Sequence, residues 1–316
     1  MLTFALRRLL QALPVVFLST VAVFGLLKLL PGDPAVMLAG PQAPPEVIDL
    51  VRHQMGLDQP LHVQYLIWLN DLVHGDLGKS AMNGRPIFPM LQARVPATLE
   101  LIALAMLLAV LIAISTGVIA ALNYRRRIDV LISSYNSLMM SIPNFWLGIM
   151  AILIFAVALG WLPPGSRVAD GHQIQASIKS LILPVLALGL SASADTSRFV
   201  KATMLEVLFD DYVRTAWAKG LRPRAVIVAH ALRNALLPII TVLGLRFTGL
   251  IGGAVVVESV FSWPGLGGLM LDAITSRDYA IVQACLLFLV LVNVFVNLIT
   301  DLSYGWLDPR IRLARA

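Results

Sequence analysis

Gly75-Asp76-Leu77-Gly78-Lys79-Ser80 ends in the Gly-Lys-Ser of a phosphate-binding loop. Such a loop closes backbone N–H groups around a phosphate, and its spacing puts the first glycine at position 73. Val73 stands there and no apolar strand leads into the segment, so nucleotide binding is set aside. His53, His62, His74 and His172 are the next candidates, as imidazole ligands for a metal. None has a second histidine at ligand spacing, and exposed surface histidines are the ordinary reading. Cys285 is the only cysteine, which rules out an intrachain disulfide and a multi-cysteine metal site. The chain has no His-Glu-x-x-His and no carboxylates paired on adjacent apolar runs, so an intramembrane enzyme is not supported. No catalytic residue and no metal ligand is assigned.

Charged groups inside apolar surroundings remain. Arg246 lies about ten residues from either end of the apolar run 236–258, close to the centre of a bilayer at 1.5 Å per residue. An arginine there costs on the order of 3 kcal/mol unless it meets water or a partner. It either lines a translocation pathway and meets a substrate carboxylate, or pairs with an acidic group of another helix. Glu258 closes the same run beside Phe261 and Trp263, as part of an outer gate or in a local salt bridge. Asp195 and Arg198 are three residues apart, a spacing that predicts a pair with each other. Pro143 and Asn144 interrupt another apolar run and join Arg246 and Glu258 as candidates for the pathway.

The other concentration of charge is the basic stretch from Asp211 to Pro238. Tyr212 to Lys219 has no helix breaker, Gly220 supplies a C-cap and Pro223 restarts a helix in its first turn. Arg224 to Leu237 reads as the second helix, ending at Pro238. A short helical hairpin of this kind at a membrane surface is a grip for another protein.

The elements that must position these groups are membrane spans. The chain is 58% hydrophobic and 13% charged, against about 25% charged in a soluble domain. Its mean hydropathy is +0.83. Several apolar runs exceed 18 residues, which predicts an all-α polytopic membrane protein. The sequence pI near 9.8 does not indicate nucleic-acid binding, because the basic residues cluster between apolar runs as orientation signals do. Six spans are predicted: Leu9 to Leu30, then about 97–122, 130–159, 181–200, 236–258 and 279–302. Ser141-Ile142-Pro143-Asn144 should kink the third. The first is a retained anchor and not a signal peptide, whose apolar core would be about 7–15 residues before a small-residue cleavage site.

Residues 1–30 are thus a tail and first span, and 31–95 an extracytoplasmic loop. In that loop Pro45 opens a helix closed by Gly56. A second runs from Leu61 to His74, with Tyr65, Leu66, Trp68, Leu69, Leu72 and Val73 as its apolar face. Residues 96–303 form a five-helix core containing the cytoplasmic hairpin at 201–235, and 304–316 a cytoplasmic tail. A Pro/Gly-rich loop spans 163–180, and a Ser-Trp-Pro-Gly-Leu-Gly-Gly turn spans 262–268. Lys and Arg number fifteen on the side of the termini and the hairpin and seven on the other, which orients the chain with both termini in the cytoplasm. Gly249 and Gly253 make a Gly-x-x-x-Gly that permits close helix approach, to a partner or within the chain.

Tyr-Val-Arg-Thr-Ala-Trp-Ala-Lys-Gly (212–220) followed by His-Ala-Leu-Arg-Asn-Ala-Leu-Leu-Pro (230–238) resembles the signature loop of ABC-importer permeases, in the dipeptide/oligopeptide/nickel branch. Arg214-Thr215-Ala216 stand at its Glu-Ala-Ala positions and Gly220 at its glycine. Pro238 follows Gly220 by 18 residues, farther than in the general pattern and in keeping with this branch. Leu-Pro-Gly-Asp-Pro (30–34), Gly-Leu-Asp-Gln-Pro (56–60), Pro-Ala-Thr-Leu-Glu (96–100), Phe-Ser-Trp-Pro-Gly-Leu-Gly (261–267) and Asp-Pro-Arg-Ile-Arg (308–312) extend the resemblance over nearly the whole chain.

The resemblance implies a six-helix type I ABC importer permease fold in a bacterial cytoplasmic (inner) membrane. It implies a second, homologous permease, two cytoplasmic ABC ATPases and an extracytoplasmic substrate-binding protein as partners, besides the lipid bilayer and with no nucleic acid. ATP and Mg would be bound by the ATPases, and this chain would carry no cofactor. The hairpin would be the coupling helix, with Tyr212, Arg214, Thr215, Ala216, Lys219, Gly220, Leu221 and Arg222 at the ATPase. The substrate implied is a di- or oligopeptide. A nickel or metal chelate, glutathione or an opine are the alternatives within the branch. A self-sufficient secondary transporter or channel is the alternative outside it, and would show internal repeats and polar groups in several spans. None is obvious.

Overall fold

The computed structural model describes residues 2–29, 33–40, 42–165 and 174–307. Among these, every regular element is helical, and one isolated β-bridge joins Lys79 to Pro86. The order is α1 (Leu2–Leu29), α2 (Pro34–Ala39), α3 (Pro45–Gln54), α4 (Leu61–Val73), α5 (Ile87–Leu122), α6 (Arg127–Ser141) and α7 (Asn144–Ala151). It continues with α8 (Ile174–Leu208), α9 (Asp211–Ala218), α10 (Arg233–Val260), α11 (Leu266–Thr275) and α12 (Tyr279–Leu307). Two π-helical stretches extend this set: Ile152–Ala158 follows α7, and Ala225–Leu232 leads into α10.

Among the described residues five helices are long and apolar enough to cross a membrane: Arg8–Leu29, Ile87–Leu122, Ile178–Leu208, Ala225–Val260 and Tyr279–Ser303. The bent pair of Arg127–Ser141 and Asn144–Ala158 supplies a sixth if its two arms count as one span. Helices satisfy their own backbone groups, which is why apolar runs of this length form them in lipid.

The helices outrun the apolar runs read from the sequence. Residues 2–8 do not form a separate tail but open α1, which passes through Pro14. α5 begins at Ile87 and passes through Pro96. Burial of Ile87 and Leu91 before that proline, and of Ala97 and Leu101 after it, offsets the one lost backbone hydrogen bond. α8 runs from Ile174 through Pro184 to Leu208. α12 continues to Leu307, and the predicted tail beyond it, with Asp-Pro-Arg-Ile-Arg, lies outside the described residues. So do Pro31-Gly32, His172 and residues 166–173 of the predicted 163–180 loop, whose last part, from Ile174, is the start of α8 and not loop.

The third span departs furthest from expectation. The predicted kink is a break of 97°. Ile142 is extended (φ −95°, ψ 124°), as clash with a following proline ring favours, and Pro143 (φ −64°, ψ 143°) stands at the N-cap of α7.

The chain divides into two compact units, one of residues 7–98 and 264–295, the other of 1–6, 99–263 and 296–316. In the first, Ile87 and Leu91 of α5, Leu266, Leu269 and Ala273 of α11, and Ile281, Val282 and Cys285 of α12 form the core. The Leu266 N–H donates to Thr98 Oγ1 at 2.7 Å. The Gly-Leu-Gly-Gly predicted as turn is therefore helix from Leu266 on, because its apolar side chains are buried. Tyr65 and Trp68 of α4 pack on Phe24 of α1 with ring centroids 5.4 and 5.8 Å apart, and the Tyr65 hydroxyl meets Thr20 Oγ1 at 2.8 Å. Leu66 and Val73, predicted on the same apolar face, stay exposed. The Gly-Lys-Ser is no phosphate cradle: Ser80 is buried and its hydroxyl donates to Asp278 Oδ2 at 2.5 Å.

In the second unit α8 packs against α6, α7 and α10. A Cβ at Gly117 of α5 would lie 2.6 Å from Val200 Cβ, so glycine permits this close crossing with α8. Beside it, Asn136 Nδ2 donates to Ser197 Oγ at 3.0 Å, and Ser197 Oγ meets Thr116 Oγ1 at 2.8 Å, joining α5, α6 and α8. Lys201 of α8 is ion-paired with the buried Asp129 of α6. Val200, Met204, Ala231, Ala235 and Ile239 are the apolar core at this end.

Candidate functional site

The hairpin is built from the end of α8, from α9 and from the π-helical stretch before α10. Asp210 (φ −65°, ψ 146°) breaks the helical path, and its carbonyl accepts the N–H groups of Val213 and Arg214 at 3.1 and 3.2 Å. Val213 and Ala216 are buried with Val226, against Val207 and Leu208. Two apolar contacts per helical turn are enough to fix which face of α9 looks out. The turn closes at Gly220, whose φ of +73° lies in the left-handed region. Its N–H donates to Trp217 O at 2.9 Å and the Leu221 N–H to Ala216 O at 3.4 Å. The Tyr212 hydroxyl accepts from Asn234 Nδ2 at 2.9 Å, clamping α9 to the helix that follows.

The second helix of the hairpin does not stop at Pro238. It runs from Pro223 through the π-helical stretch and α10 to Val260 without a break. The hairpin and the fifth span are thus one rod, which bears mechanical load as a separate helix would not. π-helical segments within α-helices cluster at functional sites, and this one stands where the hairpin meets the rod.

Of the residues predicted for coupling, Tyr212, Arg214, Thr215, Lys219, Gly220, Leu221 and Arg222 are exposed. Ala216 is not: it is buried at 5%, and its part is to let α9 lie close to Val226. Arg214 lies 3.5 Å from Asp211, a loose pair on an exposed surface. Arg224 is exposed as well. The outward face therefore presents four cations around exposed aromatics. Phe209 (66% exposed) and Trp217 (45%) are the residues that sequence reasoning missed. Their signal was present: large apolar side chains between charges, off the spacing of Val213 and Ala216.

The pathway candidates come together in part. Asn144 begins α7 after Pro143, and a Cβ on Gly253 of α10 would lie 2.9 Å from Asn144 Nδ2. Gly253 is thus in intrachain contact, while Gly249 has open space before it. Arg246 is ion-paired with Asp195 of α8, side chains 46% and 31% exposed. Asp195 and Arg198 do not pair with each other: Arg198 Nη1 reaches Met140 Sδ at 3.5 Å instead. For Asp195, a basic side chain on a neighbouring helix outcompetes the arginine three residues on, because helix packing brings it into direct contact. Glu258 is buried at 1% beside the buried Phe261 and Trp263, away from the exposed Arg246. Phe261 packs on Gly148 of α7, where a Cβ would lie 3.0 Å from its ring. Among the described residues no cluster of three or more His, Cys, Asp or Glu side chains has metal-site geometry.

Comparison with known proteins follows the same lines. Residues 113–313 match the family described as binding-protein-dependent transport system inner membrane component. Residues 1–102 match that family's N-terminal companion. The chain is 42% identical over 312 residues to the glutathione transport system permease protein GsiC of Escherichia coli strain K12, covering 99% of both chains. It is 41% identical to GsiC of Shigella boydii serotype 4, with the same coverage. Among solved structures, an inward-facing MetNI methionine ABC transporter aligns with a TM-score of 0.54 at 16% identity, over 69% of this chain and 96% of its own. An amino acid ABC transporter aligns with 0.51 at 16%, over 68% and 92%. Likeness at that identity shows the fold.

Proposed function

The chain belongs to the family of binding-protein-dependent transport inner-membrane components, and from that premise we propose that it is one of two permease subunits of an ATP-driven small-peptide importer. It is a multi-pass inner-membrane permease of the ABC type. The observation that carries the mechanism is the hairpin: a short helix with one buried apolar face, a cationic and aromatic outer face, and rigid continuity into a membrane-length rod. Two cytoplasmic ATPases bind and hydrolyse ATP with Mg, and the permease supplies no cofactor. The hairpin sits in a cleft of one of them. When the ATPases close, Arg214, Lys219, Arg222 and Trp217 are drawn along, and Tyr212 and Asn234 pass the movement to α10. The pathway then alternates between inward and outward access. The chain lies in the bilayer with both termini and the hairpin in the cytoplasm, beside a second homologous permease, and an extracytoplasmic binding protein delivers the substrate.

Glutathione is the small peptide to test first, since relatives 42% identical across the whole chain carry it by name. General di- and oligopeptides follow, then nickel chelates and opines. The experiment is ATP hydrolysis by the complete complex in lipid, with its binding protein loaded in turn from a panel of glutathione, dipeptides, longer peptides and nickel chelates. Stimulation by glutathione or another small peptide is the expected result. Stimulation by nickel chelates alone would replace the peptide reading. A complex that assembles without this hairpin touching an ATPase would remove the mechanism.

A further inference from the structure

Three charged side chains in the second unit are unexplained by the hairpin. Asp195 and Arg246 are ion-paired, yet both side chains are part exposed, at 31% and 46%. Arg198, three residues on along α8, is exposed, and its guanidinium meets the Met140 thioether. Met140 stands just before the break in the third span. Residues three apart share a helix face, so Arg198 lies beside the Asp195–Arg246 pair. The cluster sums to one positive charge.

Each unshielded guanidinium on this exposed side would cost roughly 3 kcal/mol or more against lipid, which argues for a water-filled face. The same face of α10 carries a second observation. Gly249 follows Arg246 by three residues, and an added Cβ there would have nothing within 4 Å. Bare backbone beside open space thus adjoins the guanidinium, one turn along α10.

We propose that Asp195, Arg198 and Arg246 form a charge-selecting station in the permease itself, matched to a small peptide of net charge −1. This rests on the small-peptide reading above and adds the charge class. In the empty path Asp195 holds Arg246. An arriving carboxylate takes Arg246 and the substrate ammonium faces Asp195. The second carboxylate of the peptide meets Arg198, which has no anionic partner among the described residues. Two guanidiniums and one carboxylate thereby complement one ammonium and two carboxylates. Gly249 keeps one side of the guanidinium free of side chains.

The test uses the complete complex in proteoliposomes with its own binding protein and three tripeptides of equal length: Ala-Ala-Asp (−1), Ala-Ala-Ala (0) and Ala-Ala-Lys (+1). The readout is the ratio of Ala-Ala-Asp to Ala-Ala-Ala uptake within each variant. That ratio cancels the amount of folded protein and the constant preference of the binding protein. Arg198→Gln should lower it about tenfold, the effect of losing one charge-assisted contact. Arg198→Lys should restore most of it. Asp195→Asn, which leaves the cluster more positive, should raise it about threefold, as for a part-solvated charge. Ratios that stay level, or that move the same way in Arg198→Gln and Asp195→Asn, overturn the station while leaving the peptide importer intact. A wild-type complex that imports none of the three and no glutathione removes the small-peptide reading and the station with it.

Discussion

Valine in place of Gly220 isolates what the hairpin turn contributes. Gly220 has a φ of +73°, and a Cβ there would have nothing within 4 Å. Any loss therefore comes from the backbone and not from crowding. An ordinary L-residue in the left-handed region costs roughly 1–2 kcal/mol, and a β-branched one stands at the upper end of that range. About 2 kcal/mol shifts the equilibrium between a closed and an opened turn about 30-fold. Opening loses the hydrogen bonds from Gly220 to Trp217 and from Leu221 to Ala216, and frees α9 from the rod. Asparagine tolerates positive φ and is the control. In the reconstituted complex Gly220→Val should lower substrate uptake on the order of tenfold, and Gly220→Asn should stay within about threefold of wild type. Both should insert in the membrane to the same level by immunoblot. Equal uptake by the two variants would refute the argument that this turn must hold a left-handed residue to transmit force.

Reversing Arg214 and Arg222 together to glutamate should abolish uptake with insertion unchanged, since both side chains are exposed and their surface contacts contribute little to folding; normal uptake would take the hairpin out of the mechanism. Gly117→Val should destabilise the complex by about 1–3 kcal/mol, read as a lower thermal midpoint in detergent, because even the first added carbon would stand 2.6 Å from Val200 Cβ. The Arg52 guanidinium hydrogen-bonds Asp33 and holds its carboxyl below the usual range. A depressed carboxylate contributes stability above its unfolded pKa and loses it only as pH falls through the lower folded value. Protease sensitivity of the 33–54 segment should thus stay level from pH 8 to about 5 and rise only below about 4; a rise near pH 6 would contradict this. Cys285 is buried, so cysteines introduced at Trp217 and Val73 should react with a membrane-impermeant maleimide from opposite sides of the membrane; labelling of both from one side would overturn the orientation.

The sequence made the membrane class, the hairpin and the short helices α3 and α4 legible because each has a strong local signal. α3 and α4 lie within a residue or two of their predicted bounds, set by Pro45, Gly56 and Gly75, with both glycines at positive φ. Prolines were the weak point. Pro14, Pro96, Pro184 and Pro238 all lie inside helices, whereas Pro143 stands at a 97° break. Local chemistry is the same at all five; Pro96, Pro184 and Pro238 adjoin the buried Ala97, Leu183 and Ile239, which a linear reading does not see, and Pro14 and Pro143 have no such neighbour. α11 was hidden because Gly267 and Gly268 resemble a turn until Leu266, Leu269 and Ala273 find a common core. The pairing of Arg246 was open for the same reason. Its partner Asp195 lies on another helix, and only packing gives Asp195 to Arg246 and not to Arg198.

The hairpin's role is tested most directly by a photo-crosslinking amino acid at position 217, where Trp217 is 45% exposed on the outer face of α9. Irradiation of native membranes containing the complete complex should join this subunit to one of its ATPases, in a yield that changes when ATP binds and the ATPases close. The same residue at position 213, where Val213 is buried, should give no such product. A crosslink from position 217 to lipid alone, or none to an ATPase, would contradict the account.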